Sequence, residues 1–243
     1  MDSIYLFPMI YEFLIFGVVG SFSILLAFRF FQKKTTVIKY IFLYVFVFSL
    51  SALISAISRV LRYTGAWLLS SEPEKYLELL AVSVCFIALS NIFLLMFGLE
   101  IFQSDLANKK KNAILLLYWI LTITFIIFAL VTGLNTVDLT TGIWGFLIGQ
   151  SLIVDLFIII SCFNLINKMD DPIDKIFVRF IALSPISIIM IFVFFFLDRI
   201  MINDFTIFYY LGWIGGIVSA GVVYIGIIRP SFIENYFQKR NKK

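Results

Sequence analysis

The chain has 243 residues, of which 62% are hydrophobic and 14% charged, with 29 phenylalanines, a formal net charge of +4 and a mean hydropathy of +1.04. That leaves too few polar side chains to cover a water-facing surface, so a soluble domain is excluded and lipid must be the solvent for most of the exterior. There is no histidine, and Cys85 and Cys162 both fall inside apolar runs, which argues against a disulfide, a structural zinc site or histidine-ligated haem; no cofactor is expected.

The amino-terminal stretch MDSIYLFPMIYEFLIFGVVG lacks the basic region of a cleavable signal, and its apolar run continues past a signal's length. It is therefore expected to persist as a first membrane helix over about residues 9–31, with Glu12 near its start. A second span, about 38–62, carries Ser51, Ser55, Ser58 and Arg62 at helical spacing, with Arg59 adjoining. Such a stripe of small polar groups lets helices approach closely. It also admits a second reading, an aqueous vestibule whose arginines meet an anionic ligand or pair with Glu12, in competition with Glu72, Glu74 and Glu78.

A third span, about 78–102, holds Asn91, and a fourth, about 113–132, is almost wholly apolar. The fifth, about 142–166, contains GQSLIVDLFIII, in which Asp155 lies as far from either end as a residue there can. A carboxylate at that depth costs at least about 2.5 kcal/mol when charged, so it must be protonated, paired or facing water, and it is the strongest pointer to a site. At 100° per residue Ser151 and Cys162 share its face, while Gln150 points elsewhere. Asn91 lies at a similar estimated depth and can bond either protonation state, so an Asp155–Asn91 contact is expected. It serves either as a clasp between helices or as part of a ligand, ion or proton site.

The sixth and seventh spans are placed at about 176–198 and 205–228. Between them Asp198, Arg199 and Asp204 read as a solvated turn. On the seventh, Gly212, Gly216 and Ala220 share one side and predict close packing. That helix contains no lysine, so a retinal Schiff base is excluded.

The fold class is thus all-α: a polytopic integral membrane protein built as a seven-transmembrane-helix bundle, one domain with a short basic tail over residues 229–243. Continuous apolar runs rule out a membrane barrel, because lipid leaves backbone groups only a helix in which to pair. Fifteen of the 19 lysines and arginines lie in the first, third and fifth connections and the tail. By the positive-inside rule the amino terminus is outside and the carboxyl terminus cytoplasmic, in a multi-pass protein of the cell membrane. Trp67, Trp144 and Trp213 then fall near the outer ends of their helices, as an interfacial belt requires. The tail, SFIENYFQKRNKK after Pro230, can rest on anionic head groups. No connection is long enough to hold a soluble domain, so output is expected through loops, tail or a partner.

In helix count, orientation and the exit YIGIIRP from Tyr224 to Pro230, the chain resembles the seven-helix sensor regions of some prokaryotic histidine kinases and related stand-alone membrane proteins. It departs from the former in that no kinase or other output domain follows. The layout of three helices, a linker helix and three more is also similar to small sugar-type facilitators, but their Pro-Gln pairs do not occur here. Neither resemblance carries a functional residue over.

The leading expectation is a stand-alone receptor or sensor-like protein that detects a small-molecule or lipidic ligand and signals through cytoplasmic loops to a cytoplasmic or membrane partner. The alternatives are a small-solute or ion transporter or channel with Asp155 as a midplane coupling site, and an accessory subunit of a membrane complex. Enzymatic activity is not expected, since no nucleophile has an evident base and Asp155 has no carboxylate companion. Nor is a nucleic-acid partner. The ligand- or ion-binding candidates are Asp155, Asn91, Ser151, Gln150, Arg59, Arg62 and Glu12, with no metal set.

Overall fold

The computed structural model describes residues 6–64, 75–132, 137–201 and 206–241. Nearly all of them lie in helices: α1 (Leu6–Lys33), α2 (Thr36–Thr64), α3 (Lys75–Phe102), α4 (Asn108–Thr132), α5 (Val137–Lys168), α6 (Pro172–Ile200), α7 (Ile207–Ile228) and α8 (Ser231–Asn241). Helices α1 to α7 each hold a stretch long and apolar enough to cross a membrane. They match the seven expected spans but overrun most of them by several residues, because a helix persists through the head-group layer after the hydropathy signal has faded.

The seven pack as a ring in chain order. α1 touches α2 and α7, α2 touches α3, α5 touches α6, and α6 lies along α7; α3 also meets α4 and α5. The best spanning window of α3 is 72% buried, against 22% for α1 and for α4. α3 is therefore the inner column, and α4 is an outer helix whose Leu116, Leu117, Ile120, Ile127 and Val131 face lipid.

Local signals explain the ends. Asp171 caps α6 by accepting from the Ile173 N–H at 2.8 Å, with Pro172 in the first helical position where its missing donor costs nothing. Asp198 accepts from both the Thr206 N–H at 2.7 Å and its hydroxyl at 2.5 Å, so this acid braces the start of α7. Asp204 and the Arg199 side chain lie outside the described residues.

α7 seats tightly on α6. A Cβ at Gly226 would stand 2.6 Å from Ile181 Cγ1 and 3.0 Å from the Phe177 carbonyl oxygen, and one at Gly212 would stand 2.6 Å from Phe195 Cε1. Gly212, Gly216 and Ala220 are all buried, as close packing requires. Trp213 is buried too, at 5% exposure, so it belongs to the bundle interior and not to an interfacial belt. The helix face that presents Gly212 and Gly216 inward carries Trp213 with it. Trp67 lies outside the described residues.

Candidate functional site

Polar side chains gather at three levels of the bundle. At the end where α1 begins, Glu12 is completely buried. Its Oε2 is 2.9 Å from Arg59 Nε on α2, and its Oε1 accepts from Ser55 at 2.7 Å and from the Tyr209 hydroxyl on α7. The Arg59 guanidinium also lies over the Tyr209 ring, 5.3 Å from its centroid. One carboxylate thus ties three helices together, its charge matched by a guanidinium and its lone pairs met by two hydroxyl donors, as burial of an ion demands.

The serine stripe serves that seam. Ser51 pairs with Ser83 of α3 at 3.0 Å, Ser55 bonds Glu12, and Ser58 bonds back to the Ser55 carbonyl at 2.7 Å. All three are buried, which fits close packing of α2 on its neighbours. Arg59 takes Glu12 as its partner. The Arg62 side chain, Glu72, Glu74 and the Glu78 side chain lie outside the described residues.

Asp155 stands at mid-depth, thirteen residues from each end of the Gly142–Lys168 span, or about 20 Å at 1.5 Å per residue. It is fully buried, and neither carboxylate oxygen has a hydrogen-bond partner among the described residues. The expected Asp155–Asn91 contact is not made. Asn91 Nδ2 donates instead to Ser151 Oγ at 2.7 Å. The cause is register: α3 and α5 run in the same direction with Asn91 beside Ser151 and Gly98 beside Ile158, which puts apolar Leu95 at the level of Asp155. A depth estimate from sequence has an error of about one turn, enough to exchange one partner for the other.

Around this level the polar groups bond one another. The Tyr44 hydroxyl on α2 lies 3.2 Å from Ser219 Oγ on α7, which lies 2.7 Å from Ser184 Oγ on α6. On the opposite flank Gln150 Nε2 donates to Thr122 Oγ1 of α4 at 2.5 Å, and the Tyr118 hydroxyl donates to the Gln150 carbonyl at 3.1 Å. Gln150 is therefore a stitch to α4, on a different face of α5 from Asp155 and Ser151. Tyr44 and Tyr118 both come within electrostatic reach of Asp155 without bonding it. The sequence alone does not single out Tyr44, Tyr118, Thr122, Ser184, Ser219 or Tyr209, because each hydroxyl finds its partner on another helix or on a backbone carbonyl.

Between these two levels a small cavity opens among α2, α3, α6 and α7. Tyr44, Phe48, Asn91, Phe192, Phe195 and Trp213 are among its walls, and it has room for about one water molecule. Asn91 thus links the cavity wall to Ser151 and so to the turn of α5 that carries Asp155. At the opposite end of the bundle Arg229 closes on Asp174 of α6 at 2.6 Å and lies 5.0 Å over the Phe177 ring.

Among the described residues no group of three or more histidine, cysteine, aspartate or glutamate side chains could hold a metal, and Cys85 and Cys162 are free and buried. No protein-family model matches the chain, and no curated protein or solved structure matches it.

Proposed function

We propose that this chain is a stand-alone seven-helix receptor or sensor-like protein of the cell membrane, with its amino terminus outside and its carboxyl terminus cytoplasmic, signalling through cytoplasmic loops to a partner. The observation that carries the reading is the small cavity among α2, α3, α6 and α7, set between the Glu12–Arg59 tie and the Tyr44–Ser219–Ser184 chain. Its walls are aromatic and aliphatic, with Tyr44, Ser90 and Asn91 the polar side chains among them, a lining that suits a small, largely apolar ligand with one hydrogen-bonding group once the cavity widens beyond the room of about one water molecule. Entry requires the rings of Phe48 or Phe195 to give way, and these are the rings that press on Gly216 and Gly212 of α7. A ligand that opens the cavity therefore bears directly on α7, and it shifts the bundle by its difference in affinity for the two states. The test is a thermal-shift screen of small amphipathic compounds on purified protein, combined with pull-down from native membranes with and without any hit. A saturating ligand at about a hundred times its Kd stabilises by about 2.7 kcal/mol. The reading fails if no compound shifts wild type more than an Asn91→Leu variant and no partner is retained.

A second reading, a proton- or cation-coupled transporter or channel, draws on Asp155 alone: a carboxylate at the centre of the span with both oxygens unpartnered among the described residues is where a coupling ion would bind. Flux into proteoliposomes that is the same for wild type and Asp155→Asn removes it.

A further inference from the structure

Helix α8 has a property that neither reading uses. Its eleven residues, SFIENYFQKRN, are not apolar enough or long enough to span, yet Phe232, Ile233, Tyr236 and Phe237 recur at positions i, i+1, i+4 and i+5 and so share one side. Glu234, Asn235 and Gln238 take the other. Phe237 packs against α6, its ring 6.4 Å from that of Phe180. Phe232 is 72% exposed and Tyr236 is 60% exposed.

The path of the chain says where this exposed face lies. Arg229, in the left-handed conformation with φ 52°, meets Asp174 and Phe177 near the start of α6. Eight residues later Phe237 meets Phe180, about one turn deeper along the same helix. Had α8 continued the axis of α7, residue 237 would stand about 12 Å beyond Arg229, away from α6. The left-handed turn at Arg229 instead turns α8 back toward α6, so that the Phe237 ring meets Phe180 about 12 Å in from Pro172, a level just inside the border of head groups and acyl chains. The same end of the bundle is basic: Lys168 and Arg179 are exposed there, and Lys239 is exposed on α8 itself.

We propose that α8 is an interfacial helix that docks on anionic lipid head groups of the leaflet at the lysine-rich end of the bundle, with Phe232 and Tyr236 set among the acyl chains. The occupant follows from three things together: the depth, the aromatic side chains at that depth, and a positive charge that fits anionic lipid. Because Phe237 and Arg229 fasten α8 to α6, head-group composition then acts on the α6–α7 pair.

The full-length protein supplies the test, with nitroxide attached at Tyr236→Cys on the apolar side or Asn235→Cys on the polar side; both native thiols are buried and leave the label to the new site. In proteoliposomes of phosphatidylcholine with one part in three of phosphatidylglycerol, dissolved oxygen should relax the label at 236 more than a water-soluble nickel chelate does, and the order should reverse at 235. Lowering phosphatidylglycerol to zero should reduce the oxygen-to-nickel ratio at 236 several-fold, and Lys239→Gln should lower docking about fivefold at fixed composition. The proposal is overturned if the chelate dominates at both positions, if the label at 236 is shielded from both reagents as a protein partner or second copy would shield it, or if phosphatidylglycerol makes no difference.

Discussion

The Glu12–Arg59 pair permits a quantitative test of how the helix ends are held. Its atoms are 2.9 Å apart, the Glu12 side chain is wholly buried and that of Arg59 is 11% exposed, so removing the guanidinium leaves the carboxylate charge where water cannot compensate it. Breaking a buried pair from one side costs about 3–5 kcal/mol. Glu12→Gln keeps an oxygen to receive the Ser55 and Tyr209 hydroxyls and so isolates the charge; about 3 kcal/mol is expected. Arg59→Met leaves the carboxylate with two hydroxyl donors and should cost a similar amount. The double variant restores neutrality and should lie within about 2 kcal/mol of wild type, a coupling of at least about 2 kcal/mol. Contacts that Arg59 makes beyond Glu12, including its stack on Tyr209, cancel in the cycle. The buried thiols Cys85 and Cys162 supply the assay, because a thiol-reactive fluorogenic dye reports unfolding as they emerge. At about 2–4 °C per kcal/mol for a chain of this size, each single variant should melt about 6–12 °C low. Added salt should leave these shifts unchanged, since screening acts on exposed charge. If Arg59→Met lowers the melting temperature as much in the Glu12→Gln background as in wild type, the two residues do not form an ionic unit and the reasoning is wrong.

Three further outcomes follow from the packing and the mid-depth polar groups, all read by the same melting assay. Gly226→Ala should cost more than about 1–3 kcal/mol, because its Cβ meets the Phe177 carbonyl and the Ile181 backbone nitrogen, while Gly221→Ala should be nearly silent, its nearest neighbour being Phe22 Cζ at 3.5 Å; equal effects would contradict the α6–α7 seat. Asp155→Val, an apolar residue close in shape, should raise stability by about 1–3 kcal/mol, since no hydrogen bond is lost and an unpaired buried group is removed; a fall would mean that the carboxylate is bonded in the membrane. Ser219→Ala should cost about 1–3 kcal/mol by removing the oxygen that the Tyr44 and Ser184 hydroxyls both meet, and the cost of Ser184→Ala should differ between that background and wild type, the two acting as one chain.

The seven spans were legible because lipid imposes one rule on every segment, and the rule is local: a helix that pairs its own backbone and shows apolar side chains outward. Helix α8 escaped for the complementary reason. Its pattern of Phe232, Ile233, Tyr236 and Phe237 stands in plain sight, but it is too short and too polar on average to register as a span, and only the turn at Arg229 shows where its apolar side goes. The same division runs through the polar residues. Ser51, Ser55 and Ser58 repeat on one helix, so the seam could be anticipated from α2 alone. Glu12 and Arg59 could be named as partners by charge, though not chosen over the acids that follow α2.

What could not be read is whatever depends on the registration of one helix against another. Asp155 lies halfway along its apolar span, as the sequence indicates, but its neighbour across α3 does not follow from that, because Asn91 sits one turn away across a parallel pair. Tyr44, Ser184 and Ser219 gave no signal, since nothing within each helix distinguishes a hydroxyl that finds a mate from one that faces lipid. These tertiary pairings share a feature that bears on how the bundle could work. Tyr209 bonds Glu12, Ser219 meets Tyr44 and Ser184, and Arg229 closes on Asp174, so α7 is held by polar contacts at both ends and in the middle. Between them it presses glycine faces on Phe195, Ile191 and Ile181 of α6. A helix held at these three levels is seated on α6 along its length, so displacing it at one level works against a specific bond at another. Displacing Phe195 at the cavity would therefore work against the Glu12 tie at one end and the Arg229 closure at the other, and α8 begins two residues beyond that arginine.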